Sequence, residues 1–332
     1  MASPSLDARS CSVNCEDPCM SHVLVLAGGL SHERDVSLRS GRRVAEALGR
    51  AGCEAQVRDV DSGLLETLRS QAPDVVWPVL HGATGEDGAL RDVLETLGVR
   101  YVGARPASCR LTWDKPVAKA LVEQAGVATP AGVALSHATF RELGSTGVLD
   151  AVVGSLGLPL AVKPARGGSA LGLTIVRSAA ELPSAMVAAY AYGDIALIER
   201  YVSGTEVAVS IVEDHDGLPQ ALPAVEIVPD SGVYSYDARY TAGETEFFTP
   251  ARLSPEASAA ASEAALIVYA VLGHRHLSRV DLIVDESGKP WFLEANSSPG
   301  MTETSLLPMA LEAAGLEAAA TYAALVRRAQ SD

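Results

Sequence analysis

The sequence predicts a mixed α/β protein, with strand–helix alternation at its start and hairpins further on. Three observations lead to that class. Short apolar strands at His22–Ala27 and Val75–Leu80 each run into a glycine-containing loop and then a helix, the order of α/β units. A strand from Leu160 passes through Lys163 into a Gly/Ser-rich loop ending at Gly172. Near the C-terminus, a strand over Val280–Val284, the turn Asp285–Lys289 and a strand from Trp291 read as an acidic hairpin.

In chain order, residues 1–19 are polar and patternless and are expected to form a disordered tail, with Met20 a candidate start. Cys11, Cys15 and Cys19 have metal-site spacing, but no fourth ligand lies nearby and the tail composition outweighs the motif. Cys53 and Cys109 read as ordinary buried thiols. After the first strand, Gly28-Gly-Leu-Ser-His-Glu-Arg-Asp-Val-Ser37 leads into a helix through Ala51. It is not G-x-G-x-x-G, so it carries no dinucleotide fingerprint. Glu33 and Ser37 either face a small polar ligand or simply open the helix, where acids are favoured. A second strand is expected over Val57–Val60. The third runs directly into His81-Gly-Ala-Thr-Gly-Glu-Asp-Gly88 and a helix over Ala89–Leu97. His81 thus sits at a strand end, where α/β proteins bind ligands. Tyr101-Val-Gly103 closes this first domain.

Ala107–Ala125 reads as one helix carrying Asp114 and Lys115, ended by Gly126. In Leu160–Gly172 the lysine precedes the glycines, so the loop is not a Walker A motif; its backbone N–H groups and Lys163 nevertheless suit phosphate. The strand end at Glu199–Val202 is placed to meet an adenine edge, with Glu206 beyond. The polar stretch Pro229–Pro250 is long for an internal loop and reads as a lid. A helix over Pro255–Leu272 leads to the hairpin. There the turn brings Asp281 beside Glu294, and Asn296 shares Glu294's face because side chains alternate along a strand. Three oxygen donors on neighbouring strands suit a hard cation such as magnesium. Pro299-Gly300 turns the chain, and Thr302–Ser305 reads as a helix entry suited to an anion. An Ala-rich helix over Glu312–Arg328 ends the chain.

At 332 residues the chain holds two or three domains. Its 41 acidic against 26 basic residues give a net charge of −15, which argues against nucleic acid or an anionic membrane as partner. No run of about 18 apolar residues is present, nor a basic segment followed by an apolar core at the start, so the expected setting is cytoplasmic.

As an ordered set these motifs resemble the D-alanine–D-alanine ligases of the ATP-grasp superfamily, from Ser21 to Ala329. The set comprises Gly28–Ser37, His81–Gly88, Asp114-Lys115, Lys163-Pro-Ala-Arg-Gly-Gly-Ser169, Tyr236-Asp-Ala-Arg-Tyr240, Arg279-Val-Asp281 and Glu294–Thr302. The resemblance implies an N-terminal Rossmann-like substrate domain (20–103), a central ATP-grasp subdomain (104–199) and a C-terminal one (200–332) with the lid at 229–249. It implies ATP held by Lys115, Lys163 and Arg239 at the phosphates, and by Glu199, Tyr201, Val202 and Glu206 at the adenosine. Asp281, Glu294 and Asn296 are implied to hold two Mg2+, with Mn2+ the alternative. Glu33, hydrogen-bonded with Ser169 and Tyr240, is implied at the ammonium of the first D-alanine, with His81 beside it. Arg279 and the Gly300 backbone fall at the oxyanion, Ser305 and the Leu306 N–H at the second carboxylate. A homodimer is implied as well. Arg239 replaces the family's usual lysine, Ala170 a second serine and Ser297 a threonine. The lid holds no His, so D-alanine rather than D-lactate is the expected acceptor; a paralogue making D-alanyl-D-lactate or D-alanyl-D-serine is the alternative.

Overall fold

The computed structural model describes residues 21–332 apart from Ala242, and only the backbone of Asp237 and Tyr240. The expectations for the tail and for Cys11, Cys15 and Cys19 lie outside the described residues.

The first sheet is parallel, β1 (His22–Leu26), β2 (Glu54–Arg58) and β3 (Val75–Pro78) in the order β2-β1-β3. β1 and β3 are apolar runs because both their faces are covered. β2 lies three residues earlier than the expected Val57–Val60. It is an edge strand with mostly exposed side chains, so its position is set by backbone pairing of His22 with Glu54 through Leu26 with Arg58, not by an apolar pattern. The second sheet is antiparallel: β4 (Gly132–Ser136), β5 (Leu160–Pro164), β6 (Thr174–Val176) and β7 (Ile195–Arg200), ordered β4-β7-β5-β6. The third contains β8 (Thr205–Glu213), β9 (Pro219–Ala221), β10 (Val225–Pro229), β11 (Thr245–Phe248), β12 (Leu277–Val284) and β13 (Pro290–Asn296). Its order is β11-β10-β8-β12-β13, with β9 on β8.

Two helical expectations and one loop expectation are corrected. The helix expected over Ala107–Ala125 is two, Pro106–Trp113 and Lys115–Gln124. Asp114 leaves helical geometry (φ −94°, ψ 93°) and caps the second helix by accepting from the Val117 N–H, with Pro116 in the first turn. The helix expected over Glu312–Arg328 is Leu306–Ala313 and Ala318–Ser331, bent by 109° across Gly315, whose φ of +69° suits glycine. The expected lid is not all loop: it holds a short helix, Tyr236–Tyr240, and the strand β11 paired with β10. Cys109 is a free buried thiol as expected, whereas Cys53 is disulfide-bonded.

The cores show how the sheets are joined. The central sheet and its helices make a separate cluster around Leu160, Val162, Leu182, Met186 and Ile198. The first sheet shares a core with the chain's end: Val23, Val25, Val44 and Trp77 pack in one cluster with Leu306, Leu311, Tyr322 and Val326. Trp77 and Tyr322 meet edge to face at 5.3 Å. The last helix therefore fixes the first domain against the third sheet, which sets the distance between the Gly28–Ser37 loop and the acidic hairpin.

Candidate active site

The hairpin pairs Asp281 opposite Glu294 and Arg279 opposite Asn296, with a bulge between Asp281 and Leu282. Beyond the bulge the pairing shifts by one residue, so Leu293 is the extra residue. Arg279 and Asp281 share a face of β12 and pair bidentately, Nε to Oδ1 at 2.7 Å and Nη2 to Oδ2 at 2.8 Å. Burial opposes the Arg279 charge, but Asp281 and Glu294 outweigh it and raise its pKa.

Glu294 is partly buried, which raises its pKa, yet Lys115, Lys163, Arg239 and Arg279 together hold the carboxyl down at about 2. Lys115 lies 3.4 Å from it and donates to the Gly167 carbonyl at 2.6 Å. The Lys115 ammonium therefore ties the helix after Asp114, the Gly-rich loop and the hairpin together.

Behind them lies a buried triad. Glu199 on β7 forms ion pairs with Lys163 on β5 at 2.8 Å and with Lys119 at 2.7 Å. Lys119 also donates to the Phe292 carbonyl at 2.9 Å. Burial pulls the Lys119 pKa down to about 8 despite Glu199; burial opposes ionisation of Glu199 too, but the two lysines keep its pKa low. Lys119 escaped the sequence reading, although it lies one helical turn from Lys115 and so on the same face.

Two cavities meet at this wall. One is lined by Glu33, His81, Ser169, Arg279, Asn296, Gly300, Ser305 and Leu306. The other is lined by Lys163, Glu199, Tyr201, Val202, Glu206 and Asp281. Lys115, Arg239, Glu294, Tyr234 and Gly167-Gly168 line both. Every residue that the family resemblance places in the site falls on one cavity or the other, except Tyr240, whose side chain is not described.

In the first cavity the Ser169 hydroxyl donates to the Glu33 carboxylate across the domains. Ser169 and Ala170 both have positive φ, 53° and 55°, a costly backbone at the loop that faces the cavity. His81 is buried with Nε2 unpartnered among the described residues; burial lowers its pKa, Glu33 opposes that and Arg279 adds to it. Ser37, offered as ligand-facing, is instead structural: its hydroxyl donates to the Val79 carbonyl at 2.5 Å and accepts from the Gly28 N–H at 2.9 Å. The sequence reading also assigned nothing to Glu86, whose buried carboxyl accepts from the Gly82 N–H at 2.8 Å. Burial, with Glu33 nearby, pushes its pKa up to about 8. Gly85 beside it has no room for a side chain, since a Cβ there would lie 2.1 Å from the Leu80 carbonyl oxygen.

In the second cavity the Tyr201 N–H is already committed to the Pro159 carbonyl at 3.0 Å. Burial raises the Glu206 pKa to about 7, against the pull of Arg239. The Arg239 guanidinium stacks on the Tyr234 ring at 4.2 Å, with Nε unpartnered among the described residues. A lysine would not stack in this way.

A lysine-bearing antiparallel sheet and a second sheet with an acidic hairpin, closed around a shared wall, make this an ATP-grasp ligase. Residues 121–328 match the family model described as D-ala D-ala ligase C-terminus, and residues 54–104 match D-ala D-ala ligase N-terminus. The chain is 41% identical over 297 residues to a D-alanine–D-alanine ligase of Marinobacter nauticus, covering 90% of this chain and 87% of that protein. Among solved structures it resembles the VanG D-Ala:D-Ser ligase of Enterococcus faecalis, with a TM-score of 0.79, 28% identity and coverage of 92% and 98%. It also resembles the ATP complex of the D-alanine–D-alanine ligase of Bacillus anthracis, with a TM-score of 0.76, 28% identity and coverage of 93% and 96%. The chain belongs to the D-alanine–D-alanine ligase family.

Proposed function

We infer that the protein joins two D-alanine molecules at the expense of ATP, through a D-alanyl phosphate, as a step in peptidoglycan precursor synthesis. The single observation that carries the reading is the common wall: Lys115 and Glu294 line both cavities and lie 3.4 Å apart. A carboxylate does not react with an amine until it is activated. Activation here means moving the γ-phosphoryl of ATP onto the carboxylate oxygen, so the two substrates must face one another across such a wall.

In this reading Lys115, Lys163 and Arg239 offset the charge of the phosphates, while Glu199, Tyr201, Val202 and Glu206 bound the adenosine. Glu33, positioned by Ser169 and by Tyr240, holds the first ammonium, and His81 packs beside that amino acid. The amine of the second D-alanine forms the C–N bond as the phosphate leaves. Arg279 and the Gly300 N–H offset the oxyanion of that step, and Ser305 with the Leu306 N–H takes the second carboxylate.

The hairpin donors fit a hard cation. All are oxygens, Glu294 stays ionised, and each Asp281 oxygen keeps a second lone pair beyond the one Arg279 uses. Asp281, Glu294 and Asn296 would hold two Mg2+, or Mn2+, which supply electrostatic stabilisation of the transferring phosphoryl group. The division at 103/104 and 199/200, a homodimer and a cytoplasmic setting belong to the same proposal. For the setting, among the described residues no single helix is long and apolar enough to cross a membrane. The dimer rests on family resemblance alone.

Two measurements test the reading. With ATP, Mg2+ and D-alanine, phosphate release is expected in step with D-alanyl-D-alanine formation, and D-serine or D-lactate is expected to compete poorly as acceptor. A dominant D-alanyl-D-serine product would favour the activity named for the VanG neighbour. Residues 229–249 are expected to be cut by protease in the free enzyme and protected by ATP and D-alanine together, as for a lid that excludes water from the acyl phosphate. Equal cleavage with and without both ligands would count against the lid.

A further inference from the structure

The acceptor end of the first cavity has a cation to which the family reading gives no role. Arg39 projects from the helix Arg34–Arg50 and lines that cavity together with Gly300, Thr304, Ser305 and Leu306. The other cations on the cavity have work already. Lys115 faces Glu294, Arg279 is locked on Asp281, and Arg239 is stacked on Tyr234 and lines the nucleotide side as well. The Arg39 side chain makes no hydrogen bond or ion pair among the described residues. One turn further on, Arg43 donates to the Met301 carbonyl at 3.2 Å and pairs with Glu303 at 3.4 Å; Arg39 adds to the field at Glu303 without pairing with it.

The helix thus offers two opposite charges to one cavity. Glu33, at its N-cap, meets Ser169; Arg39, whose charge is felt at Glu303, lines the cavity with Thr304 and Ser305. Six residues separate them, about 9 Å along a helix axis at ~1.5 Å per residue. An extended dipeptide spans about 7 Å between its termini, and side chains close the remainder. We propose that Arg39 receives the carboxylate of the second D-alanine and sets the acceptor's affinity. This rests on the reading that the cavity binds two amino acids. A carboxylate at the Ser305 end otherwise meets the field of Glu33 and Glu294, both on the same cavity. Arg39 is the cation free to offset it, and its fork matches a carboxylate.

The test is steady-state kinetics of the full chain with D-alanine, which separates the Michaelis constants of the two sites. Arg39→Gln is expected to raise the second constant roughly 10- to 100-fold. The first constant and that for ATP stay within about 2-fold, and kcat at saturation changes little. Arg39→Lys should recover part of the loss. D-Alaninamide, an acceptor without a carboxylate, should be used far less well than D-alanine by the unsubstituted enzyme, and that preference should collapse in Arg39→Gln. Because Arg39 is exposed, its melting midpoint is expected to stay within about 2 °C. Glu303→Gln controls for a purely structural role: it should leave the acceptor constant unchanged. If Glu303→Gln reproduces the Arg39→Gln defect, or if Arg39→Gln leaves the second constant and the amide preference intact, the assignment of Arg39 is wrong. If the unsubstituted enzyme forms no dipeptide from ATP and D-alanine, it is the function that fails.

Discussion

Glu294→Gln is expected to lower kcat by about 100- to 1,000-fold or more while leaving the protein folded. Glu294 is the carboxylate on the wall common to both cavities, held ionised by four surrounding cations. Gln keeps the shape and one carbonyl oxygen but removes the charge that a metal ion and Lys115 would share. Of the cations left behind, Lys163 retains Glu199, Arg279 retains Asp281, and Lys115 loses its ion pair but retains the Gly167 carbonyl. The loss should therefore appear in the chemical step and not in the unfolding midpoint. Turnover with saturating Mg2+, read beside far-ultraviolet circular dichroism, decides it. A kcat within a few fold of the unsubstituted enzyme would remove Glu294 from the mechanism.

Glu199→Gln is expected to damage stability first. Its carboxylate is 2% exposed and is the only acidic partner, among the described residues, paired with both Lys119 and Lys163. Removing one member of a buried ion cluster typically costs about 3–5 kcal/mol, here a fall of roughly 6–10 °C in the unfolding midpoint. The folded pKa of Glu199 lies below its unfolded value. Its contribution is therefore complete at neutral pH and is lost only as pH falls below the ordinary carboxylate value of about 4.3. Lys119, already pulled down to about 8, should shed its proton in the variant. A midpoint shift below about 1 °C would show that water reaches the two lysines and screens them. Partial rescue by ATP is also expected, since ligands that bind only the folded state stabilise it and Lys163 and Glu199 both line the nucleotide cavity.

The chain by itself determined the strand-loop-helix order of the first domain, the lysine loop, the acidic hairpin and the pairing of Asp281 with Glu294. Each rests on local physics: apolar runs, glycines at turns, and the two-residue alternation of a strand. Where local pattern is thin, the tertiary structure decided. β2 slid three residues because an edge strand takes its register from its neighbour's backbone. The helix after Arg105 broke at Asp114 because a cap and a proline override apolar periodicity, and the break aims Lys115 at Glu294. Ser37 looked like a ligand contact and was used up by Gly28 and Val79. Lys119, Tyr234 and Arg39 carry no motif signal and Glu86 went unassigned inside His81–Gly88; all four matter through partners or cavity walls supplied from far along the chain. Sequence spacing fixes which residues share a face; only packing fixes which faces meet, because the meeting depends on contacts such as Trp77 with Tyr322 across some 245 residues of chain.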